Sequence, residues 1–335
     1  MRPYEIGVSP LGPSRAVKAA IRKSVRDINC RPRDAQERLE RLLFSRFGIG
    51  SANLLLAGSL KELVYAITQA LRPGNLLIVG PAIDLYRDAA VFAGSHVEFL
   101  QGKEETEYLP DIPALEEKIG SYDMVFMANP NRVTGKAIEE ATIMAMVERL
   151  SERGCIVVID EALIEFTRQK SFIEHVPARG NIIVLRTTAC YYGLAGLELA
   201  FASANEAVIA AMRKSIHGEL NLLALVAART AMKDRSFGRL TEKFMEDEKR
   251  LLLRAFRGME GVGLYGSDTN VLLFKKHVCL PAVARIAEKA CLAAELYAGP
   301  AGADLPLLRI SLMRHEHNLR LIKIMKQVCA QERGT

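Results

Sequence analysis

Short apolar runs alternate with amphipathic stretches through the middle of the chain, and this alternation constrains the fold more than any other feature. Continuous apolar runs are typical of strands in a parallel sheet, because helices cover both faces of such a sheet. The amphipathic stretches between the runs suit those covering helices. The pattern therefore predicts an α/β fold with a mostly parallel central sheet. The predicted strands are 53–57, 76–79, 97–100, 124–128, 156–159, 182–185 and 200–204, and the predicted helices are 35–47, 60–71, 84–93, 112–118, 138–152 and 205–215.

Beyond about residue 217 the alternation gives way to a different order of elements. The pattern there predicts a long charged helical segment at 220–258, a hairpin-like region at 261–274, a helix at 281–291, a strand at 307–311 and a last helix at 316–331. This order is typical of a smaller α+β domain. We therefore expect an N-terminal segment that packs on the small domain, then a large domain and a small domain, with bounds at 1–28, 29–235 and 236–335.

The charge and apolar patterns exclude several classes of partner. The chain has 335 residues with 45 Lys and Arg against 39 Asp and Glu, so its net charge of +6 is mild and would suit a small anionic ligand. The basic segment at 19–46 lacks interleaved aromatic residues, so we expect no nucleic-acid site. No apolar run is long enough to span a bilayer and no apolar leader begins the chain, so we expect a cytoplasmic protein without a membrane partner.

The cysteine and histidine spacings argue against a metal site. The six cysteines form no Cys-x-x-Cys pair, and in a cytoplasmic protein we expect them to be free thiols. His315 and His317 are two residues apart at a predicted helix start, so their imidazoles do not share one helix face. A solvated helix terminus is favoured there, and no metal is expected.

Four motifs follow one another along nearly the whole chain. They are 9–14 (SPLGPS), 129–135 (NPNRVTG), 160–166 (DEALIEF) and 193–197 (GLAGL). The ordered set resembles the fold-type I aminotransferases of class I and II, which depend on pyridoxal phosphate (PLP). It is most similar to the histidinol-phosphate aminotransferase and threonine-phosphate decarboxylase branch. Asn270 and Arg309 also resemble the small-domain pattern of that family.

The resemblance implies an aminotransferase-like large domain and a homodimer whose subunits share the PLP site. Residues 15–47 would contribute to a two-fold interface burying well over about 2,000 Å² in total. In that family a lysine forms an imine with the cofactor, an Asp pairs with the pyridinium nitrogen, and an Arg with hydroxyl groups holds the phosphate. Matched to the family, Asp160 takes the pyridinium position, Ser59, Lys61 and Thr187 take phosphate-site positions, and Arg309 takes the position of the arginine that clamps a substrate carboxylate.

The other cofactor positions depart from the family. Cys190, the candidate catalytic residue, stands at the position of the imine-forming lysine, and Glu198 stands at the phosphate-binding arginine. Arg132 replaces the asparagine that contacts the cofactor ring. The remaining departures are Leu163 for a tyrosine, Ile83 for the stacking aromatic residue, and Arg31 in the loop that reaches a neighbouring subunit's cofactor.

These departures predict that ordinary PLP chemistry is lost. A thiol cannot form the imine that anchors PLP, and a carboxylate beside the phosphate opposes it by about 1–4 kcal/mol per charge pair at 4 Å. We therefore expect no cofactor, and a pseudoenzyme that binds a small anion or a partner protein. Two alternatives stay open. One is an active aminotransferase or decarboxylase that holds PLP through unusual contacts and acts on a phosphorylated amino acid. The other is PLP-independent chemistry in the same cleft. Cys190 itself has two interpretations, as a nucleophile or as a residue that only fills space.

The charged replacements also predict new contacts within the cleft. We expect Glu198 to lie within about 4 Å of a guanidinium, with Arg132 as the first candidate and a neighbouring subunit's Arg31 as the second. The positive charge that remains would then hold a small anion near Arg309 or Lys61. Arg309, Arg132, Glu198 and Arg31 are accordingly the candidate substrate-binding residues.

Overall fold

A computed structural model describes residues 5–111, 121–259, 262–275, 279–298 and 307–331 of the chain. In these ranges the larger of two sheets has seven strands, which are β1 Leu54–Ala57, β2 Asn75–Gly80, β3 His96–Gln101, β4 Met124–Ala128, β5 Ile156–Asp160, β6 Ile182–Thr187 and β7 Ala200–Ser203. Their order across the sheet is β1-β7-β6-β5-β4-β2-β3. Strand β7 is antiparallel to β1 and β6, and the other neighbouring pairs are parallel. The predicted mostly parallel sheet is confirmed.

Helices cover both faces of this sheet. Alternate residues of β2 enter two separate apolar clusters, with Leu77 and Val79 in one and Leu76 and Ile78 in the other. The helices of this part are α1 Arg15–Ser24, α2 Arg33–Phe47, α3 Leu60–Leu71, α4 Asp84–Phe92, α5 Glu140–Ser151, α6 Glu206–Arg213 and α7 Leu222–Lys233. The helix predicted at 112–118 lies outside the described residues. Within the described ranges, no helix is both long and apolar enough to cross a membrane.

The long helical segment predicted at 220–258 consists of two helices. Helix α8 spans Arg235–Arg257, and Asp234 separates it from α7. The Asp234 backbone is not helical, with φ −84° and ψ 76°, and its carboxylate accepts a hydrogen bond from the backbone N–H of Phe237 at 3.0 Å. An Asp at the N-cap satisfies a free N–H of the first turn, so a new helix starts there instead of the old one continuing.

A second, antiparallel sheet builds a smaller lobe with its own apolar core. Its strands are β8 Val271–Leu273, β9 Ala294–Tyr297 and β10 Leu307–Ser311, in the order β8-β10-β9, and its helices are α9 Leu280–Lys289 and α10 His315–Gln331. The core includes Leu252 and Phe256 from α8, so α8 belongs to this lobe over its second half. The predicted α+β order is confirmed, with the hairpin closed by a bridge between Leu264 and Phe274. Strand β9 was not predicted from the sequence, because its four residues are too few to show an alternating pattern.

The N-terminal residues lie between the two lobes. The backbone N–H of Gly7 donates to Ser311 Oγ at 2.6 Å in the small lobe, and the N–H of Ser9 donates to the carbonyl of Cys190 at 2.8 Å in the large one. Gly193 has a positive φ of 62°, and a Cβ there would lie 2.6 Å from the Cα of Gly12, so only glycine allows this approach. The domain bounds at residues 28 and 235 stay a prediction.

The expectation of free thiols is wrong for two cysteines. Cys279, at the start of α9, and Cys329, near the end of α10, form a disulfide across a separation of 50 residues. Both residues are buried in the small-lobe core. No local spacing signals this pair, because only the packing of the two helices brings the thiols together. Cys30, Cys155, Cys190 and Cys291 are free.

Candidate functional site

The sequence-predicted residues meet at one edge of the seven-stranded sheet, where its parallel strands end. Asp160 is the last residue of β5, and Arg132 lies in the loop that follows β4. Thr187 ends β6 and Cys190 follows it, while Ser59 lies between β1 and α3. The carboxyl ends of the strands form the crevice in which open α/β sheets bind ligands. The topology therefore places these residues around one cleft.

Asp160 has no solvent exposure, and both of its carboxylate oxygens have partners. Oδ2 accepts hydrogen bonds from the Tyr86 hydroxyl at 2.5 Å and from Arg132 Nη1 at 3.5 Å, and Oδ1 accepts one from the backbone N–H of Ala162 at 2.8 Å. Burial and the neighbouring Asp160 charge raise the pKa of Tyr86 well above its usual value, so the phenol stays protonated and donates. The carboxylate is thus neutralised by groups of this chain.

Arg132 supplies the positive charge in this cluster. Its side chain is 21% exposed and forms an ion pair with Asp160. Burial lowers the pKa of the Arg132 guanidinium, but the charges of Asp160 and its neighbours outweigh burial and raise it, so Arg132 is permanently charged. The backbone carbonyl of Arg132 accepts a hydrogen bond from Arg309 Nη1 at 3.4 Å, which links the cluster to the small lobe.

Glu198 lies at the N-terminus of α3. Its Oε1 accepts hydrogen bonds from the backbone N–H of Leu60 at 3.0 Å and from the Thr187 hydroxyl at 3.1 Å. Free N–H groups and the helix dipole make a helix N-terminus a binding site for anions. The expected ion pair between Glu198 and Arg132 is wrong, because Arg132 pairs with the fully buried Asp160 while the helix terminus satisfies Glu198.

The two other residues assigned to the phosphate site have local partners. Ser59 is the N-cap of α3, and its hydroxyl accepts a hydrogen bond from the backbone N–H of Glu62 at 3.1 Å. Lys61 is exposed, and its ammonium lies 5.8 Å from the centre of the Tyr65 ring. The Lys61 ammonium therefore lies toward Tyr65, one turn further along α3.

Cys190 is packed into the apolar core. Only 2% of the residue is exposed, and it shares a cluster with Leu163, while Ile83 packs against the same cluster. Burial raises the pKa of the Cys190 thiol to about 12, although the Arg132 charge acts in the opposite direction. A thiol with this pKa is uncharged near neutral pH, and the thiolate is the nucleophilic form. The geometry favours the space-filling interpretation of Cys190.

The remaining arginines lie at different distances from the cleft. Arg309, in β10, pairs with Glu295 at 3.0 Å and is 12% exposed, and its buried Nε has no hydrogen-bond partner in the described part of the chain. Arg31 pairs with Glu219 at 2.7 Å, and both side chains are mostly exposed. Within one chain, Arg31 is therefore not brought to the other candidates.

Sequence reasoning missed Tyr86 and Tyr297. Tyr86, in α4, stacks on Phe126 with ring centres 5.3 Å apart, which aims its hydroxyl at Asp160. The hydroxyl of Tyr297 in β9 bonds both the N–H and the carbonyl of Ala82 at 3.0 Å, so the small lobe contacts the loop after β2. Neither tyrosine belongs to a motif, and helical spacing alone marks Tyr86 only as a core residue.

Comparison with known proteins identifies the family. The model of aminotransferase class I and II matches residues 6–324. The chain belongs to the class I and II aminotransferase family. A histidinol-phosphate aminotransferase of Chlorobium luteolum is 29% identical over 231 residues, which are 68% of this chain and 64% of that protein, just under two thirds of its length.

Solved structures of this family have the same fold. The L-threonine-O-3-phosphate decarboxylase of Porphyromonas gingivalis superposes with a TM-score of 0.84 at 20% identity, covering 98% of this chain and 99% of that one. The histidinol-phosphate aminotransferase of Sinorhizobium meliloti, solved in complex with pyridoxal-5'-phosphate, has a TM-score of 0.85 at 18% identity and covers 98% and 90%. The fold expected from the aminotransferase motifs is confirmed.

In this aminotransferase-family chain, we expect the substitution Arg132→Met to lower the free energy of unfolding by about 3–5 kcal/mol, because it leaves the buried Asp160 carboxylate without a cation. Urea unfolding measures this loss. The matched control is Arg87→Met, since Arg87 forms exposed pairs with Asp84 and Asp88 and should cost less than about 1 kcal/mol. Equal losses in the two variants would contradict the assigned role of Arg132.

Alkylation tests the state of the Cys190 thiol. With iodoacetamide at pH 8, we expect the exposed Cys30 to react readily and Cys190 to stay unmodified until the protein is unfolded, because Cys190 is buried and protonated. Peptide mass spectrometry over a time course gives both rates. If Cys190 reacts in the native protein as fast as Cys30, the space-filling interpretation is wrong and the interpretation of Cys190 as a nucleophile is supported.

Proposed function

We propose that this chain is an aminotransferase-fold protein that acts by binding and does not hold PLP. The Asp160 contacts carry this proposal. By resemblance, that carboxylate would pair with the pyridinium nitrogen of the cofactor. Here a permanently charged guanidinium and a phenol of the same chain take Oδ2, and a backbone N–H takes Oδ1. A pyridinium ring would have to displace Arg132 and leave its half-buried charge unpaired, which is costly.

The phosphate end of the site supports the same proposal. The Glu198 carboxylate accepts the Leu60 N–H and the Thr187 hydroxyl, which are the donors that a phosphate would need at this helix terminus. A phosphate entering here meets a negative charge where the family has an arginine. The repulsion between the phosphate and the Glu198 carboxylate is about 1–4 kcal/mol at 4 Å in partly wet surroundings, and the loss of the attraction to an arginine adds a similar amount. The residues present therefore do not fit PLP.

The covalent anchor is missing as well. Cys190 stands at the lysine position, and a thiol does not form an imine with an aldehyde. The nearby lysines have other partners, since Lys61 lies over the Tyr65 ring and Lys136 pairs with Glu107. What Arg309 still offers a ligand is one donor, because its charge is paired with Glu295 while its Nε has no hydrogen-bond partner in the described part of the chain. A small carboxylate or phosphate is the ligand class that this guanidinium suits.

Loading with PLP tests the proposal. After incubation with a slight excess of PLP and reduction with borohydride, we expect peptide mapping to show no lysine with a preferred pyridoxyl adduct. Cys190→Lys alone should also fail to give visible imine absorbance, because Glu198 and Arg132 remain. A variant that combines Cys190→Lys with Glu198→Arg and Arg132→Asn should gain that absorbance. A bound imine in the unaltered protein would overturn the proposal and support an active aminotransferase or decarboxylase.

The proposal includes a homodimer built with the segment from α1 to α2. Val25 and Ile28, in this segment, are exposed to 47% and 64%, so the segment presents apolar side chains that a second subunit would cover. We expect light scattering at micromolar concentration to show a dimer, and Ile28→Asp to shift it toward the monomer. Val91→Asp is the matched control, since Val91 is 61% exposed on α4 and should leave the dimer intact. A monomeric unaltered protein would contradict this part.

A further inference from the structure

A cavity of about 670 Å³ lies between the two lobes and is separate from the cleft at Asp160. Its walls are the loop 165–169 after β5, the turn 137–139 after the β4 loop, one face of α8, and residues 268–269 before β8. Pockets for small ligands commonly measure about 300–1,000 Å³. The lining of this cavity includes Glu165 and Phe166 of the 160–166 motif and Tyr191 beside Cys190. Asp160, Cys190 and Glu198 do not line it, so the contacts described for those three residues do not account for it.

Lys249 of α8 places an amine on the wall of this cavity. Its ammonium donates to the backbone carbonyls of Ser267 and Thr269, which holds the side chain in place beside the residues that precede β8. Burial lowers the pKa of Lys249, although the charge of Asp268 opposes this effect. A larger fraction of Lys249 is therefore a neutral, nucleophilic amine near neutral pH than of an exposed lysine.

Carboxylates line the same cavity and can move the protons that imine formation requires. Glu242 and Glu246 precede Lys249 by seven and three residues on α8, so the three side chains share one helix face. Asp268 faces them and is held by the backbone N–H of Ala137 at 2.9 Å. Positioned carboxylates act as general acids and bases in such steps.

The charge of the lining selects the kind of carbonyl compound. Five carboxylates line the cavity against two cations, Arg168 and Lys249, in a protein whose net charge is +6. One carboxylate, Glu165, is paired with Arg186, which is not part of the lining, so four carboxylates remain against the two cations. An aldehyde that carries a phosphate or carboxylate is therefore disfavoured here, and a neutral or cationic aldehyde is favoured.

We propose that the cavity lined by Lys249 is a second site of this protein, which binds a neutral or cationic small aldehyde and forms an imine with it. The amine nitrogen of Lys249 attacks the carbonyl carbon and a C–N bond forms. The two protons that the nitrogen loses pass to the carbonyl oxygen, the C–O bond breaks, the oxygen leaves as water, and the nitrogen keeps a double bond to carbon. Nothing is oxidised or reduced. The site is independent of whether the cleft at Asp160 holds a cofactor.

Reductive trapping tests this site in the full chain. The probes are betaine aldehyde, which is cationic, and glyoxylate, which is anionic, each with cyanoborohydride as the trapping reductant. Peptide mapping follows Lys249 and Lys243, an exposed lysine on the same helix. With betaine aldehyde we expect Lys249 to be alkylated about ten-fold faster than Lys243, because the cavity holds the aldehyde beside the amine. The rate at Lys249 should saturate with aldehyde concentration, whereas the rate at Lys243 should rise linearly.

Variants separate a reactive lysine from a structural one. Lys249→Arg should abolish the saturable labelling, and the matched control Lys243→Arg should leave labelling at Lys249 unchanged. Glyoxylate should label Lys249 several-fold more slowly than betaine aldehyde does. If Lys249 in the unaltered protein reacts no faster than Lys243, or its rate does not saturate, the lysine only ties α8 to residues 267–269 and the proposal is overturned. That comparison decides the matter even if Lys249→Arg does not fold.

Discussion

A fully buried carboxylate at the carboxyl end of β5 governs the arrangement of the cleft. Asp160 has no contact with solvent, and an isolated charge in such a place is very costly, so the fold has to supply donors to it. It does so from three elements: Tyr86 from α4, Arg132 from the loop after β4, and the backbone N–H that follows the strand. Through the carbonyl of Arg132, Arg309 extends this network into the small lobe.

The two charged replacements in the cleft are satisfied separately. Arg132 pairs with the carboxylate that most needs a cation, and Glu198 takes the donors at the N-terminus of α3. Each charge thus has a complementary group within the same chain. Arg309 is paired with Glu295 but keeps an Nε without a hydrogen-bond partner in the described part of the chain, while carboxylates outnumber cations in the lining of the cavity at Lys249. The ligands proposed for the two regions are accordingly of opposite charge.

Sequence reasoning predicted the fold well because the signals for it are local. The strand β4 is a buried apolar run with the predicted bounds, and α3 spans the predicted 60–71. The failures are of a different kind. The cap at Asp234 divides a helical pattern that looked continuous, and the disulfide joins Cys279 and Cys329 through helix packing alone. Arg132, the first predicted partner of Glu198, was wrong because charge complementarity does not tell which of several donors lies nearest, and a neighbouring subunit's Arg31 stays a prediction.

The sequence by itself determined the family and the order of strands and helices, since motifs and hydrophobic periodicity are carried by neighbouring residues. Only the tertiary structure decided the contacts of those residues. It brought Tyr86 to Asp160, set Glu198 on a helix terminus, buried the Cys190 thiol, and placed Lys249 on the wall of an interlobe cavity. Such contacts join residues that are far apart in the chain, and burial, which sets the balance of charge and proton affinity, exists only once the lobes have packed.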